Sequence, residues 1–279
     1  MWRSGRSFTG VADVRKFKQD FFPSTLGNIV DYVKKSLLNF MRLRGVKNQN
    51  RFFSHQTNQG LKSLPASFSL ATWNSFKGLG GASFFVDLTE AIATFDLLCL
   101  QEVVLAEDKT WNQQLLQSSF VYGSMYKRSD GCYDGVMTIC PVEVRRVKLI
   151  PSLATELFPR TKKVAIFSVY PIYDGRELGV LNVHAPLIRT PKSFAAELEY
   201  LIDQIKDHTG PLIVAGDFNT LSSVYLLELI LKFQQIGVNY LQVARDPRPK
   251  MKRLDHFLVR DLHASEVEVE EGVKSSDHP

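Results

Sequence analysis

Five apolar runs in this chain, and a sixth, polar segment at its end, carry side chains that can bind a cation or move a proton. Ser69-Leu-Ala-Thr-Trp73 runs into Asn74, and Asp96-Leu-Leu-Cys-Leu100 runs into Gln101 and Glu102. Gly179-Val-Leu-Asn-Val183 ends at His184, and Pro211-Leu-Ile-Val-Ala-Gly216 ends at Asp217-Phe-Asn219. Asp255 stands inside Arg253-Leu-Asp-His-Phe-Leu-Val259, and Ser275-Ser-Asp-His-Pro279 supplies Asp277 and His278. The set holds carboxylates, carboxamides and histidines but no thiol. Oxygen donors of this kind suit a hard cation such as magnesium, with manganese as a substitute, which takes one or two carboxylates and keeps several waters. Zinc would draw more His or Cys. Taken singly, each residue is an ordinary strand end, and Asp-Phe-Asn is an ordinary turn. Six together make a candidate site.

Such a site needs strands to carry it. Runs rich in Val, Ile, Leu and Phe, bounded by Gly, Pro, Asp or Asn, predict strands at 68–73, 96–100, 135–140, 163–170, 178–183, 212–215, 254–259 and 264–269. Helical spacing predicts helices at 83–95, 111–120, 191–208 and 222–235. In the third, Phe194, Leu198, Leu201, Ile202 and Ile205 form one apolar face. Strands alternating with helices imply sheets covered by helices, with a single doubly wound parallel sheet as the competing architecture.

Residues 1–66 differ from the rest. They hold 12 Lys or Arg against 3 Asp and no Glu, a net +9, whereas the other 213 residues hold 22 basic and 26 acidic side chains, a net −4. A basic segment of this kind implies an anionic partner, nucleic acid or a membrane surface. Within it, Leu26, Ile29, Val30, Val33, Leu37, Phe40 and Met41 recur at helical spacing over about 24–44 among Lys34, Lys35, Arg42 and Arg44. This amphipathic helix reads either as a membrane or partner contact or as a helix packed on the main domain. Residues 48–67 read as a polar linker, dividing the chain into a basic extension, 1–66, and a second domain, 67–279. The three cysteines, Cys99, Cys132 and Cys140, lack metal-site spacing, and Cys99 in its apolar run reads as a buried free thiol. A reducing, cytoplasmic setting is expected. No run reaches the ~18 apolar residues of a membrane span, and the basic N-terminus lacks the apolar core of a secretory signal.

In chain order, Trp73-Asn74, Leu100-Gln101-Glu102, Asn182-Val-His184-Ala-Pro186, Gly216-Asp-Phe-Asn219, Leu254-Asp255 and Ser276-Asp-His278-Pro resemble the endonuclease/exonuclease/phosphatase superfamily. Asp134-Gly-Val-Met-Thr138, Val169-Tyr-Pro171 and Leu254-Asp-His-Phe257 resemble its YafD-like bacterial branch. The resemblance implies an α/β (α+β) four-layer sandwich of two mixed sheets flanked by helices. It also implies a further core strand after Pro279, so that 67–279 reads as a catalytic domain cut short at its C-terminus.

By the same resemblance, Glu102 is the main metal ligand, Asn74 orients the metal and phosphate, and Asp277 borders the metal. Asp217 positions or deprotonates the attacking water, and Asn219 donates to phosphate. His278 lies beside the scissile phosphate with Asp255 orienting it, and His184 is a second catalytic histidine. Lys77 and Arg189 are candidate substrate contacts, with Lys127, Arg128, Lys162 and Lys163 in loops near the strand ends. The implied function is magnesium-dependent phosphoester hydrolysis, favouring a monomeric nuclease-like phosphodiesterase with nucleic acid as partner. A membrane-associated lipid phosphodiesterase or phosphatase is the alternative. A catalytically silent anion-binding module is a third reading.

Overall fold

The computed structural model describes residues 11–17, 47–48, 51–57, 61–75, 82–106, 115, 117–156, 161–188, 190–243, 246 and 253–270. Among these residues the chain forms two mixed sheets and three helices. The larger sheet holds β1 (Val11–Phe17), β2 (Lys47–Asn48), β3 (Phe52–His55), β4 (Ser67–Asn74), β5 (Leu97–Leu105), β6 (Phe120–Lys127), β7 (Tyr133–Ile139) and β14 (His263–Glu270). Its order is β14-β1-β4-β5-β7-β6-β2, with β3 also paired to β6. The smaller sheet holds β8 (Arg146–Thr155), β9 (Lys162–Pro171), β10 (Glu177–His184), β11 (Leu212–Asp217), β12 (Asn239–Tyr240) and β13 (Asp255–Arg260), in the order β12-β13-β11-β10-β9-β8. The helices are α1 (Ala82–Thr94), α2 (Pro191–Ile205) and α3 (Ser223–Gln234).

The central strands are buried on both faces, which is why their sequences read as continuous apolar runs rather than as alternation. One parity of β4 and β5, with Phe68, Leu70, Leu97 and Cys99, faces Val180, Ile213, Phe257 and Val259 of the smaller sheet. The other parity, with Ala71, Trp73, Leu98 and Leu100, packs on Phe84, Leu88 and Ala91 of α1. The far face of the smaller sheet, with Leu181, Val183, Val214 and Leu258, is covered by Phe194, Leu198 and Leu201 of α2 and Leu229 and Phe233 of α3. The result is the expected four layers. Helix α2 starts where the sequence places it, with Pro191 in its first turn and the Thr190 side chain accepting from Ser193 N at 3.2 Å.

The structure departs from the sequence reading in several places. Most of the predicted helix at 111–120 lies outside the described residues, which lack 107–114 and 116, and the strand β6, absent from the predicted strands, begins at its last residue, Phe120. The strand β8 was not foreseen. It is the edge of its sheet, with exposed Arg146 and Lys148, and Pro151 within it weakens a strand pattern. Over residues 51–57 and 61–67, the expected linker 48–67 instead packs on the core. Its strand β3 pairs with β6, Arg51 N donates to Ser124 Oγ at 2.7 Å, and Leu64 is fully buried and bridged to Ile172. From the basic segment, β1 lies parallel between β4 and β14. The expected helix at 24–44 lies outside the described residues. Cys99 and Cys140 are buried free thiols, and burial pushes the Cys140 thiol up to about 12. Among the described residues no helix is long and apolar enough to cross a membrane.

Candidate active site

Parity decides which strand-end residues reach the space between the sheets. Inward positions alternate, so Leu70 and Thr72 on β4 lead to Asn74, and Val180 and Asn182 on β10 lead to His184. On β11, Ile213 and Ala215 lead to Asp217, and on β13, Val259 and Phe257 lead to Asp255. Asp217 lies directly beside His184 in the parallel ladder and directly opposite Asp255 in the antiparallel one. Asp217 is 1 %, Asn74 and His184 3 %, and Asp255 5 % exposed, so these polar groups meet where water is largely excluded.

Glu102 breaks the parity rule. Simple alternation puts Cys99 and Gln101 inside and Glu102 outside. The β5–β7 register shifts by one residue between Leu100 and Val103, and Glu102 takes a left-handed φ of 56°. This bulge turns the Glu102 side chain back into the site. It is held on both sides. Gln101 Nε2 donates to Asn182 Oδ1 at 2.8 Å across the sheets, and Asn182 Nδ2 donates to Met137 O at 2.9 Å. Tyr122 Oη donates to Val103 O at 3.0 Å. One strand away, the Tyr126 hydroxyl donates to buried Asp134 at 2.8 Å. Burial first, then the Asp134 charge, raises this phenol far above its ordinary range and keeps it a donor.

The groups contact one another. Asn74 Nδ2 donates to Asp217 Oδ2 at 3.1 Å, and Asn219 N donates to Asp217 Oδ1 at 2.9 Å. His184 Nε2 lies 3.8 Å from Glu102 Oε1 and 3.7 Å from Asp217 Oδ2. Asn219 has a left-handed φ of 51°, which Asn tolerates, and its side-chain amide donates to Ala185 O at 2.9 Å. The structure therefore brings together Asn74, Glu102, His184, Asp217, Asn219 and Asp255. Lys77, Arg189, Asp277 and His278 lie outside the described residues.

Two parts of the site escaped the sequence reading. Lys163, at the start of the predicted strand 163–170, is the second residue of β9 and is buried at the site rather than solvated in a loop. It is 8 % exposed, with Nζ 3.7 Å from Glu102 Oε1 and 3.6 Å from Glu156 Oε2. Arg128, expected among the same loop charges, is buried and pairs with Asp130 at 3.2 Å. The other part is the Gln101–Asn182 bridge. Its signal was available, since an amide interrupts an apolar strand two residues before His184. Exchanging Asn182 for leucine should cost about 2–4 kcal/mol, because buried donors and acceptors lose their partners. A urea melt with a lower midpoint and unchanged slope would show it; a midpoint equal to wild type would mean the bridge carries no stability.

Among the described residues no three His, Cys, Asp or Glu side chains close into a metal cage. The donors at hand are carboxylate and amide oxygens from Glu102, Asp217 and Asn74, an open set that fits a hard cation keeping its waters.

Several known proteins resemble this chain. A UPF0294 protein of Vibrio cholerae is 29 % identical over 226 residues, covering 77 % of each chain. A UPF0294 protein of Yersinia enterocolitica is 34 % identical over 147 residues, 52 % of this chain and 55 % of its own. An endonuclease/exonuclease/phosphatase from Bacteroides vulgatus superposes with a TM-score of 0.52 at 17 % identity, over 75 % of this chain and 94 % of that one. The human Nocturnin catalytic domain superposes with a TM-score of 0.50 at 19 % identity, over 76 % and 85 %. The family model described as Endonuclease/Exonuclease/phosphatase family matches residues 71–278. This chain belongs to the endonuclease/exonuclease/phosphatase family.

Proposed function

We propose that the protein is a magnesium-dependent phosphodiesterase of nuclease type, with manganese as a substitute ion. The observation that carries this is the convergence of Asn74, Glu102, His184, Asp217 and Asp255, from five strands of two sheets, on one largely water-free site. Glu102 and the carbonyl oxygen of Asn74 would hold the cation, with Asp277 beside it. The ion would offset the charge that builds on a phosphate under attack and hold its oxygens.

The chain's own groups do the rest. Asp217 is fixed by two hydrogen bonds, one to each oxygen, and accepts the proton of the attacking water. His184, between the carboxylates of Glu102 and Asp217, holds a proton against the anionic substrate. Asn219, Asp255 and His278 complete the phosphate contacts and proton transfers, and Lys77 and Arg189 bind flanking substrate. Nucleic acid is the favoured substrate because the +9 segment supplies the cations a phosphate backbone requires. Strand β1 joins that segment to β4, the strand that ends in Asn74.

A second reading, a lipid phosphodiesterase at a membrane surface, is favoured by exposed apolar side chains that follow the site-bearing strand ends. These are Phe85 and Val86 early in α1, Leu187 after His184, and Leu221 and Val224 after Asn219. One panel separates the readings: plasmid DNA, single-stranded RNA, bis-p-nitrophenyl phosphate, sphingomyelin vesicles and inositol phosphates, each with magnesium and with EDTA. Turnover of nucleic acid that EDTA abolishes is the expected result. Hydrolysis confined to vesicles would replace it with the lipid reading, and no turnover of any substrate would leave an anion-binding module.

A further inference from the structure

Lys163 is an unusual neighbour for a cation site. A buried ammonium is stable only beside compensating charge, and here two carboxylates share one ammonium. Glu102 Oε1 is 3.7 Å away and Glu156 Oε2 is 3.6 Å away. Glu156 is tied down in turn. It closes the β8–β9 hairpin through Glu156 N to Thr161 O at 2.9 Å, and its Oε1 accepts Leu187 N at 3.1 Å. A single chain of contacts thus runs from Glu102 through Lys163 and Glu156 to the loop that follows His184.

Any divalent cation on Glu102 must share that carboxylate with the Lys163 ammonium or displace it. Two cations on one carboxylate in a largely dry site repel strongly. Glu156 offers the ammonium a second anchor without moving its backbone. We infer that Lys163 is an internal counter-ion that competes with the divalent cation for Glu102, and that Glu156 takes the ammonium over when the cation binds. The inference rests on the reading of Glu102 as the cation ligand. It makes Lys163 a determinant of how weakly the site holds its ion, and it couples cation binding to the loop carrying Leu187.

Opposite signs at two adjacent positions distinguish this role from a structural one. In Lys163→Met the cation no longer competes, so affinity should rise about tenfold or more. In Glu156→Gln the ammonium loses its second anchor and holds Glu102 harder, so affinity should fall about three- to tenfold. Because Glu156 acts through Lys163, adding Glu156→Gln to Lys163→Met should change affinity by less than about threefold, a coupling read from the double-mutant cycle.

The test is manganese binding to the full chain, followed by calorimetry and by the electron-spin signal of free manganese. Wild type, the two single variants, the double variant and Glu102→Gln are compared. Should Lys163→Met fail to fold, Lys163→Gln carries the same expectation. Tighter binding without Lys163, weaker binding without Glu156 alone, and no saturable binding in Glu102→Gln is the expected pattern. Loss of binding in Glu102→Gln with unchanged or weaker binding in both Lys163 variants would overturn the counter-ion role and leave the site standing. Undiminished binding in Glu102→Gln would overturn both.

Discussion

Replacing Glu102 by alanine should lower turnover at least about 1,000-fold while leaving the unfolding temperature within a few degrees of wild type. The activity loss follows from its place. The Glu102 carboxylate lies 3.7 Å from the Lys163 ammonium and 3.8 Å from His184, whereas both oxygens of Asp217 already accept hydrogen bonds from Asn74 and Asn219. A thousandfold loss corresponds to about 4 kcal/mol of transition-state stabilisation, a modest share for a metal-held phosphate. The small stability change has its own reason. Glutamate and alanine both pay for a left-handed φ at position 102, so that cost cancels in the comparison. The neighbouring side chains also keep partners, Lys163 with Glu156 and His184 with Asp217. Turnover of bis-p-nitrophenyl phosphate and a thermal melt on one preparation would settle it. Activity within tenfold of wild type would mean that Glu102 does not hold the ion.

The site was legible in the sequence where strand parity is regular. Asn74, His184, Asp217 and Asp255 each end or begin a strand whose inward residues are mostly apolar, so a polar residue at the end of that parity faces the rim. Glu102 was found by residue type and place in the motif, but parity alone would have exposed it. The bulge that reverses it is a register event between two strands, and the sequence of one strand does not contain it. Lys163 was misread for a related reason. A lysine at a strand start is usually solvated, and only the partner strands show that two carboxylates wait for it.

The fold shows the same division. Strands β4, β5, β10 and β11 are buried on both faces and stand out as apolar runs. The edge strand β8 carries charges on a half-wet surface, and β3 belongs to a segment whose polar composition reads as linker. Composition reports how a segment meets water on average. It does not report that Phe53 lies 5.4 Å from the Tyr133 ring or that Leu64 is sealed in the core. For 48–67, a few anchoring side chains outweigh a polar background.

The largest stability effect should come from Gly216→Ala, which removes no interaction at all. A Cβ at this position would sit 2.0 Å from Val183 O and 2.9 Å from Val183 C and N, and the residue has a φ of +137°. The obstacle is backbone of the paired strand, so no side-chain rotation relieves it. The conformation itself disfavours any residue with a Cβ, by about 1–3 kcal/mol. Together these should exceed about 4 kcal/mol, a large share of a typical 5–15 kcal/mol stability. The unfolding temperature should then fall by about 10 °C or more, or the protein should fail to accumulate in soluble form. Gly175→Ala supplies the control, because Gly175 has a φ of +84° but nothing within 4 Å of the place a Cβ would occupy. It should cost only about 1–2 kcal/mol, the conformational part alone. If Gly216→Ala melted no lower than Gly175→Ala, the close approach of β10 and β11 would not be what fixes this region. The point bears on catalysis as well as folding. Val183 pairs with Gly216 and His184 with Asp217 in one ladder, so a methyl group that forces the first pair apart also separates the second. The glycine of the Gly-Asp-Phe-Asn sequence is thus there for distance, holding histidine and aspartate close together on neighbouring strands.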